Sequence, residues 1–224
     1  TRSWEFMIWK DRFGRYIDRT LVERLLREKT VGPIDGFVDR SGREVLKGTL
    51  TLKNGRVLTV TPAFTNAGTL ALGEGSTGQL VANAGFLQTS GATVFQNGTL
   101  TSSSLVRIQG GSLTGVGGTV AGNLQNDAVV SPGFSPAAIS ILGQYTQTAS
   151  GQLAIEIGGT APGSQFDLLS VSGQASLAGQ LQVSLIDGFT PTAGQSFNVI
   201  TASSRSGAFG SSNLPLPAGA PCGR

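Results

Sequence analysis

The chain has 224 residues, 16 Lys+Arg against 13 Asp+Glu, no histidine and a single cysteine. That length can bury a real core in one large domain or two small ones. With no histidine and only Cys222, an internal disulfide and a Cys/His zinc site are both excluded.

The charge is unevenly spread. Residues 1–56 hold 13 basic and 8 acidic side chains, a net +5, and the remainder holds 3 and 5, a net −2. Such a split points to a nucleic-acid or membrane contact in the basic part, or to a solvated charged surface. No run approaches the ~20 apolar residues that span a bilayer, so no membrane span is expected. The opening "TRSWEFMIWK" lacks an initiator Met and a signal-peptide pattern, and reads as the start of a fragment or a mature piece.

In chain order, Trp4 to Lys10 predicts a strand, being aromatic and aliphatic between polar residues. Residues 20–29, "TLVERLLREK", predict a helix. Thr20 and Glu23 form a capping box, and Leu21, Val22, Leu25 and Leu26 share one face. Gly32-Pro33 ends it. Residues 36–60 then read as β. Ser41-Gly42 marks a turn, and Leu46, Gly48, Leu50 and Leu52 alternate with Lys47, Thr49, Thr51 and Lys53. Asn54-Gly55 predicts a type I′ hairpin, with Val57, Leu58 and Val60 on the return strand.

The order "FMIWK", a helix ending in "LL", "KT", "I-x-G-F", "SGR" and an "L-x-L" strand before "GRV" resembles the C-terminal repeat of bacterial type IA DNA topoisomerases. The resemblance covers Trp4 to Val60. It implies a small α+β module over residues 1–60 that holds single-stranded DNA and cleaves nothing. Members of that family often carry a zinc-type cysteine where Trp4 stands, so zinc binding is excluded in this copy. Aromatic rings can stack on unpaired bases and Lys/Arg can meet phosphates. The candidate nucleic-acid contacts are Trp9, Lys10, Arg12, Phe13, Arg15, Lys29, Arg40 and Arg43. The alternative reading makes the aromatics core and the charges a solvated rim. Tyr16 has no base to activate it and reads as packing.

From residue 61 the composition turns to Gly, Thr, Ser, Ala, Asn and Gln. A Gly-[Thr/Gln/Ser/Asn]-Leu triplet recurs, at irregular spacing, at Gly68, Gly78, Gly98, Gly111, Gly122, Gly151 and Gly179. Asn-bearing turns recur in "FTNAGTL", "FQNGTL" and "LQNDAVV". Short strands turning at Gly or Asn, each pointing few apolar residues inward, suit a β-solenoid. An antiparallel β-sandwich uses similar strands and stays open as the alternative.

Residues 110–159 sharpen this. The order "GVGGTVAGNLQN", "VSPGFSP", "GQYTQ" and "GQLAIEIGG" resembles the autotransporter passenger-associated repeat of Gram-negative bacteria. The resemblance is strong from Gly110 to Leu214 and looser from Thr61 to Gln109. It implies a right-handed parallel β-helix, exported and displayed at the cell surface. The expected partner is then a ligand on a host or neighbouring cell. No amphipathic strand series follows Leu214 to supply a transporter barrel.

The expected fold is thus mainly β, a right-handed parallel β-helix (solenoid) over 61–214 preceded by a small α+β module, with a Pro/Gly tail over 215–224. Glu74, Asp127, Glu156, Asp167 and Asp187 lie far apart in sequence, so no catalytic cluster, metal or cofactor is expected. Ser131-Pro132-Gly133 and Ser135-Pro136 read as a turn where the chain geometry shifts. Cys222 has no activating neighbour beyond Arg224. The hairpin from Leu46 to Val60 is expected to cap the open strand edges of the first coil. The expected role is a non-catalytic structural or adhesive surface protein. The alternative is a nucleic-acid-binding module, residues 1–60, on a passive solenoid. The two resemblances belong to different compartments, so a chimeric reading frame is open as well.

Overall fold

A computed structural model describes residues 36–38, 44–133 and 135–215. The strand expected at Trp4 to Lys10, the helix over 20–29, the eight candidate nucleic-acid contacts and the tail beyond Pro215 lie outside the described residues.

The described residues are mainly β and contain no helix. The strands begin with β1 (Gly36–Val38), β2 (Glu44–Leu46), β3 (Thr49–Leu52) and β4 (Arg56–Val60). Next come β5 (Phe64–Asn66), β6 (Thr69–Leu72), β7 (Gly78–Ala82), β8 (Phe86–Gln88), and the long β9 (Ala92–Ile108) and β10 (Ser112–Asn126). The chain continues with β11 (Val129–Ser131), β12 (Ala138–Ile141), β13 (Tyr145–Gln147), β14 (Gln152–Ile157) and β15 (Leu168–Val171). It closes with β16 (Gln174–Leu177), β17 (Gln180–Leu185), β18 (Ile200–Thr201), β19 (Ser204–Gly207) and β20 (Ser211–Asn213).

From β2 onward the pairing is parallel and falls into three ladders. In the first, β2 pairs with β5, β5 with β8, and β8 with the end of β9. It passes through the end of β10 to β13, β16 and β19. In the second, β3, β6 and the start of β9 lead through β10 to β11, β14, β17 and β20. In the third, β4, β7 and the middle of β9 lead through β10 to β12, β15 and β18. The chain visits the ladders in the same order each time.

Two inward columns of the first ladder show how the core is built. Phe64, Phe86, Val106, Leu124, Tyr145 and Ala175 are successive partners, all buried. The Phe64 and Phe86 rings stack with centroids 5.9 Å apart. Beside them run Leu46, Asn66, Gln88, Ile108, Asn126 and Gln147, again partner to partner. The stretch of chain between partners is uneven, short from Val106 to Leu124 and long from Tyr145 to Ala175. Extra residues are taken up between ladders, as at the register shift between Ala121 and Asn123, since short surface insertions cost little.

The alternation expected around Leu46, Leu50 and Leu52 holds: those three are buried, while Lys47, Thr49 and Lys53 are exposed. The hairpin at Asn54-Gly55 is a correction. Both residues do take positive φ, 58° and 72°. Yet β3 runs parallel to β6, and β4 parallel to β7. The turn redirects the chain from one ladder to the next, where Leu58 and Val60 are fully buried beside Leu80 and Ala82; an isolated two-stranded ribbon is marginal in water. Leu46 to Val60, expected to cap the first coil, lie parallel along the edges of β5, β6 and β7 as members of the three ladders. The antiparallel strand at this end is β1, pairing Gly36 with Leu46 and Val38 with Glu44.

One corner is a column of small residues. Thr69 N–H donates to Gly48 O, Ala92 N–H to Gly68 O, and Ser112 N–H to Gly91 O. Gln152, Gln180 and Ser211 repeat this on Ala128, Gly151 and Gly179. A Cβ on Gly91 would fall on the Gly68 carbonyl, and Gly91 sits at φ +72°.

Candidate functional site

The charged residues of the described chain do not converge. Lys53 Nζ meets Glu74 Oε2 at 3.0 Å, with both side chains about half exposed. Arg107 Nε in β9 donates to Asp127 Oδ2 just past the end of β10, and Gln125 adds a bond to the same carboxylate. Partial burial works against the Asp127 charge. The bonds from Arg107, Gln125 and Thr148, with the Arg107 charge, outweigh it and hold the carboxyl below its usual range. Among the described residues no group of three or more His, Cys, Asp or Glu stands where it could hold a metal ion.

The outward side chains are instead largely hydroxyls and amides. On the third ladder Gln79, Thr99, Thr119, Ser140, Ser170 and Thr201 are successive partners on one column. Gln79 Nε2 donates to Thr101 Oγ1 at 2.9 Å. Each of these side chains can donate and accept neutral hydrogen bonds.

The most elaborate polar arrangement is internal. Asn66 Oδ1 accepts from Gly68 N–H, and its Nδ2 donates to Ala92 O. Asn126 does the same with Ala128 N–H and Gln152 O. Gln88 sits on Asn66 and donates to Gly110 O and Ser112 O. Gln147 sits on Asn126 and donates to Gly151 O, Ala178 O and Gln180 O. Tyr145 Oη donates to Gln147 Oε1 at 2.7 Å, and burial pushes the phenol pKa well up, so it stays a donor. These amides staple the small-residue corner from within.

The sequence predicts Asn turns with positive φ. Asn97 has one, at 65°, but Asn66 and Asn126 point inward and bond backbone. The signal is "N-A-G" and "N-D-A" after a strand. It looks like backbone freedom, whereas the side chain's bonding decides the position.

Asp167 carries no such signal. It is fully buried. Its Oδ1 accepts from Ala137 N–H and its Oδ2 from Glu156 N–H, both at 2.9 Å. Burial pushes its carboxyl up to about 6 against the pull of those two amides, with a further small push from Glu156. Gly133, in the turn that the sequence predicts between β11 and β12, stands over it.

At the far end, β18, β19 and β20 continue the ladders with side chains that are mostly exposed. A hollow there is lined by Leu177, Leu181, Phe197, Val199, Phe209 and Arg205. The Phe197 ring packs edge-on against both Phe166 and Phe189.

No family model matches the chain, and neither a curated protein nor a solved structure matches it. No helix of the described residues is long and apolar enough to cross a membrane.

Proposed function

We propose that residues 44–213 form a right-handed parallel β-helix that serves as a non-catalytic structural or adhesive rod on a bacterial cell surface. The observation that carries this reading is the parallel pairing of every described strand from β2 to β20, visiting three ladders in a constant order. An ordinary sandwich pairs its strands mostly antiparallel. A stack of such triplets grows by adding like units and needs no catalytic centre to be useful as a spacer. The neutral hydroxyl column suits contact with polar, uncharged partners such as surface glycans. The passenger-like segments from Gly110 to Leu214 support the cell-surface part. Single-stranded DNA binding through residues 1–60 gains no support from the described residues.

Three assays test the proposal. Antibody to the folded chain should label intact cells of the source bacterium; labelling only after permeabilisation contradicts surface display. Beads coated with the chain should be retained on a glycan-bearing cell layer; beads that wash off contradict adhesion and leave the spacer role. Release of reducing ends from a panel of polysaccharides would contradict the non-catalytic reading.

A further inference from the structure

The turn between β11 and β12 is held, among its described residues, by polar contacts. Ser131 Oγ donates to Gly133 O at 3.3 Å, and Thr114 Oγ1 to the same oxygen at 3.4 Å. Beneath it lies the Asp167 carboxylate, so close that a Cβ on Gly133 would meet Oδ1 at 2.5 Å. One carboxylate oxygen takes the amide of Ala137, where the turn enters β12, and the other takes the amide of Glu156 in β14. A single buried side chain therefore ties the turn to a strand of the following triplet, across 30 residues of sequence on one side and 11 on the other.

We propose that Asp167 is a proton-controlled latch on this turn, shut when the carboxyl is protonated and loosened when it is charged. The charged groups around it do nothing to offset ionisation. Glu156 on β14 carries the same sign. From the turn, β10 and the entry to β12 come the Ser131 and Thr114 hydroxyls and the Ala137 backbone amide. The partners of the Asp167 carboxylate are two backbone amides, and the charge that acts on it is that of Glu156. A buried carboxylate without a counter-charge is costly, and opening the turn would hydrate it.

The direction follows from linkage. The carboxyl ionises at about 6 in the closed state and near the usual 3.8 when hydrated. The closed state therefore holds its proton longer. Its advantage is complete below about pH 4 and is lost as pH rises to about 6, after which it is level.

The test is amide exchange on the full chain, followed by NMR from pH 3 to 7.5 and corrected for intrinsic rates. Protection at Ala137 and Glu156 should fall about 100-fold from pH 3 to 7, most of it between pH 4 and 6, and then stay flat. Amides of β6 should not follow. Asp167→Asn should remove the pH dependence at both sites. A flat wild-type profile, an unchanged slope in the variant, or the same fall shared by β6 would overturn the proposal. If the variant does not fold, the carboxyl carbon shift of Asp167 in the wild-type chain decides. A midpoint near 6 that tracks the exchange supports the latch, and a midpoint below 4.5 overturns it.

Discussion

Asn126 donates its side-chain amide to the carbonyl oxygen of Gln152, 2.9 Å away and 26 residues further along the chain. Asn66 does the same to Ala92, again 26 residues on. Each asparagine thus binds the corner of its own triplet through Oδ1 and the corner of the next through Nδ2. Asn126→Ala should cost about 2–4 kcal/mol, because it strands a buried N–H and C=O and leaves a void. Ile108 stands on the same column between Gln88 and Asn126, and Ile108→Val should cost only about 1 kcal/mol. Urea unfolding of both variants measures the difference. Equal losses would mean that the amide stack acts as mere filler.

Glycine at the corner is a matter of contact as much as of φ. Gly91→Ala places a methyl group on the Gly68 carbonyl and should cost more than about 3 kcal/mol, enough to disturb the register. Gly55 has a similar φ, +72°, with nothing within 4 Å of an added Cβ. Gly55→Ala should cost only about 1 kcal/mol, the penalty of the left-handed conformation. Thermal melts of the two variants separate the effects.

Much of the inward pattern is legible in the sequence. Leu46, Leu50, Leu52, Leu153, Ile155 and Ile157 alternate along the chain and are buried as that alternation requires. The partners of these strands are not legible. Asn54-Gly55 carries hairpin chemistry, but the backbone turn is local, and the choice of ladder is decided by apolar surface on the strand that lies beside it in the stack. The irregular spacing of the Gly-x-Leu triplets also has a physical reason. Gly68, Gly111, Gly151 and Gly179 lie on one corner, while Gly78 and Gly98 open strand segments of the third ladder. One motif serves several bends, so its spacing is not the period. The burial of Asp167 leaves no trace in the sequence, because it depends on a turn that lies far earlier in the chain.

Two carboxyls should give the stability curve opposite slopes. Asp167, raised to about 6, favours the folded state below about pH 4 and withdraws up to about 3 kcal/mol as pH rises to 6. Asp127, held low, supports the folded state above pH 3.8 and loses that support as pH falls through its folded pKa. The melting temperature should therefore rise on acidification from pH 7 to about 4 and drop in stronger acid. Asp167→Asn should flatten the upper part of this curve, and Asp127→Asn should flatten only the acid limb.

The Arg107–Asp127 pair itself should matter little. Arg107 is 42% exposed, so solvent screens the pair. Arg107→Ala should cost under about 1 kcal/mol by urea unfolding, and the loss should shrink in 0.5 M salt. A larger, salt-independent loss would show that the arginine stem packs the outer face.

The stacking of the ladders is open to direct measurement. Val57, Gln79, Ser170 and Thr201 lie on one outward column of the third ladder. Gln79 to Ser170 is four steps, Gln79 to Thr201 five, and Val57 to Thr201 six. With neighbouring strands about 4.8 Å apart, the separations should be about 19, 24 and 29 Å. Spin labels on cysteines at these pairs, with Cys222 replaced by Ser, give the distances by pulsed electron resonance. A rise of about 5 Å per added step is the result expected of the proposed β-helix. Distances that fail to grow with the number of steps would contradict it.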